Sequence, residues 1–256
     1  MINFDTNKLI IACYPSGAGG KFLINCLGLA DNAVFQDANL AEQQLSGKFT
    51  QTDKFNLLES RMKQATTSWR DLNLGCEQLF GFNNNHYSTW YPELLQIPER
   101  YNSIIKLLSN SDYYFFKVAH NFVHLNAYLK FWNHSNIIIF ENYRKFIINR
   151  THREANPPLY LTDVGSIDNL INDHRGFYLQ LNMFDIHDCE IEKFKAKHDN
   201  FIMWNTNWYY SVDETVNNVN QLYKNFNLTN FNPDIVRNYF ILWKNKLEEL
   251  KAITNK

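Results

Sequence analysis

The chain has 256 residues, of which 45% are hydrophobic and 16% aromatic, enough to bury a sizeable core in one large domain or two small ones. A formal net charge of -1 excludes a globally basic surface of the kind that coats nucleic acid, and leaves room for a local basic pocket. No run reaches the roughly 18 apolar residues of a membrane span, and the polar opening Met1-Ile-Asn-Phe-Asp-Thr-Asn-Lys8 does not read as a signal peptide, so no membrane partner and a cytoplasmic location are expected.

The residues from Lys8 to Tyr14 form an apolar run of strand length. Pro15-Ser16-Gly17-Ala18-Gly19-Gly20 then makes a turn with three glycines, and Lys21 to Leu27 is apolar and compatible with a helix. A strand, a glycine turn and a helix in that order bring backbone N–H groups and the positive end of a helix dipole to one point, which suits a phosphate or a sulfate. Lys21, at the mouth of the turn, adds a mobile full charge. The competing reading is structural: the glycines simply permit a tight turn before a buried helix.

A polar stretch from Asp31 to Gln51 follows. A helix is expected over Asp53 to Ala65, with Phe55, Leu58 and Met62 at helical spacing. Gly81 to Pro98 reads as loop, because Asn83-Asn-Asn-His-Tyr-Ser-Thr-Trp-Tyr-Pro92 mixes aromatics with turn formers. There His86, Tyr87, Trp90 and Tyr91 either line an acceptor pocket or pin the loop to the core. Ser103 to Leu108 is a short helix or strand.

Two further strands, Tyr113 to Val118 and Asn136 to Phe140, flank a helix from Asn121 to Trp132 that carries Phe122, Leu125, Leu129 and Trp132 on one face. This strand–helix–strand unit calls for a parallel pair. Helix is expected over Phe146 to Asn149, and weakly over Asp168 to Asp173 and Gly176 to Met183, with prolines interrupting Asn156 to Asp163. Phe201 to Trp204 is a short apolar strand, and Trp204 and Trp208 are core candidates. Asp213 is expected to cap a helix bearing Val216, Val219, Leu222 and Tyr223, and Asn232 to cap a last one that starts at Pro233 and bears Ile235, Val236, Tyr239, Trp243 and Leu247. With no repeat or linker in between, the alternation favours one α/β domain, 1–256, with three layers and a central parallel sheet.

Cys13, Cys26, Cys76 and Cys189 have no C-x-x-C spacing and are expected to be buried free thiols in a reducing compartment. Neither they nor His152, His174, His187 and His198 show metal-ligand spacing, so no metal is expected. The Walker pattern G-x-x-x-x-G-K-[ST] fails at Pro15, which replaces its first glycine, and at Phe22, which replaces the hydroxyl that holds Mg²⁺. The dinucleotide pattern fails on the spacing of Gly17, Gly19 and Gly20.

Tyr14-Pro15-Ser16-Gly17 resembles the loop by which sulfotransferases grip the 5′-phosphosulfate of 3′-phosphoadenylyl sulfate (PAPS), although the family's lysine between proline and serine is absent and Lys21 is the nearby substitute. The resemblance implies a P-loop NTPase-like fold of the sulfotransferase type. It also implies a donor cradle of Ser16, Gly17, Ala18, Gly19, Gly20, Lys21 and Phe22, and no metal. Lys117-Val-Ala-His120 resembles, with one residue extra, the family's Lys-Thr-His strand end. That implies catalytic roles for Lys117 and His120, with His120 as the base and Lys21 neutralising the leaving phosphate. The other reading of His120 is a helix cap or a ligand to core carbonyls, and His124 is expected on a packing or solvent face.

In the family the next strand ends in an Arg-Asn-Pro turn, with a serine about eight residues later that shares the 3′-phosphate. Here Asn142 matches, Glu141 stands in the arginine position and Asn149 in the serine position; Arg144, Lys145, Arg150 or Arg153 would have to supply the charge. Asn142, Arg144, Asn149 and Arg150 are the nucleotide-site candidates. The order strand, acidic turn, helix and last helix from Phe201 to Pro233 also resembles the family's tail. The implied activity is sulfuryl transfer from a PAPS-like donor to a hydroxyl of a carbohydrate or small molecule. The alternatives are a phosphate-loop kinase or hydrolase, and a degenerate transferase fold that only binds.

Overall fold

The computed structural model describes residues 5–14, 19–34, 41–64, 112–130, 132, 136–141, 186–205 and 211–254. A short 3₁₀ turn at Thr6–Lys8 leads into β1 (Leu9–Cys13), followed by α1 (Gly20–Gly28), α2 (Ala41–Leu45) and α3 (Gln51–Gln64). Then come β2 (Phe115–Ala119), α4 (Phe122–Leu129) and β3 (Asn136–Glu141). The last elements are α5 (186–195), β4 (Ile202–Asn205), α6 (Val212–Asn225) and α7 (Pro233–Thr254). The expected loop 81–98, the segments 103–108, 146–149, 156–163, 168–173 and 176–183, and Cys76 and Trp208 lie outside the described residues.

All four strands are parallel, in the order β2-β1-β3-β4. The two strands flanking α4 are therefore not neighbours, as the sequence pattern suggested; β1 lies between them. β1 is buried at every position, as a strand must be when it has partners on both edges and helices on both faces.

Side chains alternate cleanly between two cores. On one face Ile10, Ala12 and Tyr14 of β1 and its end, Phe116 and Val118 of β2, Ile138 and Phe140 of β3, and Trp204 of β4 pack under α1, α3, α6 and α7. On the other, Leu9, Ile11, Cys13, Phe115, Ala119, Ile137 and Ile139 meet Phe122, Leu125 and Tyr128 of α4 and Ile191 and Phe194 of α5. Helices on both faces of one parallel sheet make three layers, α/β/α.

Helix starts follow capping chemistry. Asn121 caps α4 by accepting from the His124 amide at 2.9 Å, and Asn232 caps α7 by accepting from Asp234 and Ile235. α6 begins two residues earlier than Asp213 suggested. Ser211 is its cap, with Oγ accepting from the Glu214 amide. Asp213 lies in the first turn and pairs with Arg237 of α7 at 2.7 Å. Among the described residues Cys13 and Cys26 are buried free thiols, whereas Cys189 is free and exposed rather than buried. No described helix is long and apolar enough to cross a membrane.

Candidate functional site

α1 is packed into the core along its whole length. Every residue of it is buried except Lys21, which is half-buried. Phe22 stacks face to face on Tyr239 of α7 with centroids 5.3 Å apart, and Trp243 and Phe240 close on its other sides. Asn25 donates to the Tyr239 hydroxyl at 2.7 Å, and the Tyr223 hydroxyl of α6 donates to the Cys26 carbonyl at 2.8 Å.

Beyond the end of α1, the buried Lys54 ammonium of α3 donates to the carbonyls of Ala30 and Ala33, and Gln51 donates to Leu29. A cation at the negative end of a helix dipole is favourable. Neither Lys54 nor Gln51 stood out in the sequence, because one lysine among the polar residues of a surface helix carries no signal of burial.

The opposite, positive end of α1 sits just past the carboxyl end of the central strand. Gly19 has φ 74°, a left-handed conformation that favours glycine, and its carbonyl accepts from the Phe22 amide at 3.0 Å. Gly20 is a glycine for a second reason. A Cβ added there would come 2.1 Å from Cε1 and Cζ of Tyr14. The Tyr14 ring therefore lies directly against the first residue of α1.

Tyr14 is one of four rings in a row. Its amide donates to the Ala119 carbonyl at 2.9 Å, continuing the β1–β2 register so that Tyr14 falls opposite His120. The β1–β3 register puts it opposite Phe140, which pairs with Trp204. The sequence of rings across the sheet is thus His120, Tyr14, Phe140, Trp204, one from each strand end. Tyr14 meets His120 edge-on at 5.5 Å and Phe140 at 5.0 Å, and Phe140 lies 6.4 Å from Trp204. The signal was present in the chain: each of the four strands carries an aromatic or histidine either at its last position but one (Phe140, Trp204) or directly after its end (Tyr14, His120).

His120 is half-buried and does not cap α4, since Asn121 does. His124, one turn on, is half-buried beside Asn121; burial, with the nearby His120 and Lys117 charges adding to it, lowers its pKa to about 4, so it is neutral.

Lys117 belongs to the other layer. It shares the face of Phe115 and Ala119, is fully buried, and its ammonium lies 5.2 Å from the ring centre of Tyr128 on α4. Burial pulls its pKa down to about 7. The strand alternation thus separates Lys117 from the ring row, and brings His120 but not Lys117 to the face that carries α1. Glu141, too, falls in the register of Ile137 and Ile139, on the α5 face. Lys195 of α5 registers its charge, after the stronger effect of the Glu192 hydrogen bond. The Glu141 carboxylate is therefore directed away from α1.

Of the expected donor cradle, Gly19, Gly20, Lys21 and Phe22 are described; Ser16, Gly17 and Ala18 are not, and neither are Asn142, Arg144, Asn149 and Arg150. Phe22 contributes a core ring, and its amide is taken by Gly19. Among the described residues no three His, Cys, Asp or Glu side chains gather as a metal site requires. No family model, curated protein or solved structure matches this chain.

Proposed function

We propose that the protein binds an oxyanion at the N-terminal turn of α1 and uses it in sulfuryl transfer from a PAPS-like donor to a hydroxyl of a carbohydrate or small molecule. The observation that carries this reading is positional. In a parallel sheet of order β2-β1-β3-β4 the chain leaves β1 toward one side and returns across it to the other. Ligands of such sheets bind outside the carboxyl ends of the strands at that reversal. The N-terminus of α1, with Lys21 as its only side chain that reaches solvent, lies at that place. His120 ends the neighbouring strand on the same face. A P-loop NTPase-like fold of the sulfotransferase type accords with these positions.

In this reading Lys21 and the first turn of α1 hold the phosphosulfate. His120 removes the acceptor's hydroxyl proton as the new O–S bond forms. The S–O bond to the 5′-phosphate breaks, and its electron pair departs on that phosphate, which Lys21 neutralises. The buried phenylalanine at position 22, where a magnesium-binding hydroxyl would stand, weighs against a metal-dependent kinase or hydrolase. The buried free thiols of Cys13 and Cys26 accord with a reducing compartment, the cytoplasm.

Calorimetric titration with adenosine 3′,5′-bisphosphate, the product such a donor leaves, tests the assignment. Saturable binding that Lys21→Ala weakens about tenfold or more is expected, the loss of one charge-assisted contact. Absence of binding at millimolar ligand rejects a PAPS donor.

A further inference from the structure

We propose that the Tyr14 hydroxyl is itself a ligand-binding group, a neutral phenol that donates a hydrogen bond to the oxyanion held at the first turn of α1. The proposal rests on reading that turn as an oxyanion site, and a separate observation carries it. Tyr14 is 2% exposed, and its Oη has no hydrogen-bond partner among the described residues. Buried hydroxyls are almost always paired, because stripping one of water without replacement is unfavourable.

The position of the ring says where the orphaned oxygen lies. Cε1 and Cζ are 2.1 Å from the point a Cβ on Gly20 would occupy, and Oη is bonded to that Cζ. The hydroxyl therefore sits beside the first residue of α1, where the helix presents its amides and the positive end of its dipole. The ring also meets the ring of Phe140 and, edge-on, the ring of His120. Burial, and then the neighbouring Cys13, hold the phenol above its ordinary range, so it is protonated and can only donate when an anion arrives. For packing alone, phenylalanine would fill this place equally well. The oxygen needs a partner that the described residues do not supply, and a phosphate or sulfate oxygen at the α1 turn supplies it.

Tyr14→Phe removes that one atom. Wild type and Y14F are melted without ligand and then titrated calorimetrically with inorganic phosphate. The expected result is a variant that melts at or above wild type, since an unpaired buried hydroxyl is gone, and that binds phosphate about tenfold or more weakly, the effect of one hydrogen bond to a charged group. Equal phosphate affinity overturns the proposal. So does a variant that melts lower without ligand, because the hydroxyl then serves the fold. Wild type that binds phosphate but not adenosine 3′,5′-bisphosphate leaves Tyr14's role standing and rejects the nucleotide donor; wild type that binds neither overturns both.

Discussion

At Gly20 even a methyl group has no room, because the rigid, fully buried Tyr14 ring occupies the space. The two residues are a matched pair: a flat ring at the end of the central strand, and a bare Cα at the start of the helix it faces. Gly20→Ala should therefore lower unfolding free energy by about 1–3 kcal/mol, the usual cost of overpacking. Combining it with a smaller residue at position 14 should recover most of the loss in urea titrations. Phosphate binding should fall with Gly20→Ala as well, since the ring and the helix start must then move apart. Seen from the sequence, Gly20 carried two readings, close approach of backbone to an anion and a tight turn before a buried helix. The packing meaning was hidden because it depends on a residue six positions earlier, on the far side of the turn.

At the scale of elements, β2 shows what strand alternation decides. His120 and Lys117 are three residues apart and look like one motif, yet the period of two sends them to opposite faces. Lys117 ends under α4 with its stem among apolar neighbours and its ammonium near Tyr128. Its pKa falls from 10.5 to about 7, so between those limits the unfolded chain holds a proton that the folded protein has lost. Stability must then rise as pH is raised through that window, and the full penalty applies below about 7. Lys117→Met should flatten this slope and raise unfolding free energy at pH 7 by an amount on the order of 1–4 kcal/mol. Urea melts of both proteins at pH 7, 8.5 and 10 would check it; a variant less stable than wild type at pH 7 would show that the contacts of the lysine outweigh the cost of burying its charge.

The strands and the main helices were legible because their patterns are strong: unbroken apolar runs for β1 and β3, and helical spacing of Val216, Val219, Leu222 and Tyr223 for α6. α5 was missed, since its apolar positions Ile191 and Phe194 are sparse among charges and only the sheet face above them reveals their use. The start of α6 was misplaced by two residues because Ser211 and Asp213 are both good caps, and the choice falls to the serine whose oxygen reaches the Glu214 amide.

For the whole molecule, the sequence indicated an α/β sheet but not its strand order, and the order is what locates the site. Local patterns say that β2 and β3 exist and are parallel; they say nothing about β1 entering between them. Once it does, the central strand, the glycine-led helix and the row His120, Tyr14, Phe140, Trp204 meet at the carboxyl ends of the strands. The aromatic row was visible as four separate residues near strand ends and became one continuous row only through register. Lys21 at the mouth of the turn, by contrast, could be read directly from the chain, and it remains the one side chain of α1 that reaches solvent. The most direct measurement is amide NMR of isotopically labelled protein during titration with inorganic phosphate. The largest, saturable shifts are expected on Gly19, Gly20 and Lys21, with smaller ones at Tyr14 and His120. Shifts confined to other parts of the sheet or its helices, or none at all, would contradict an oxyanion site at α1.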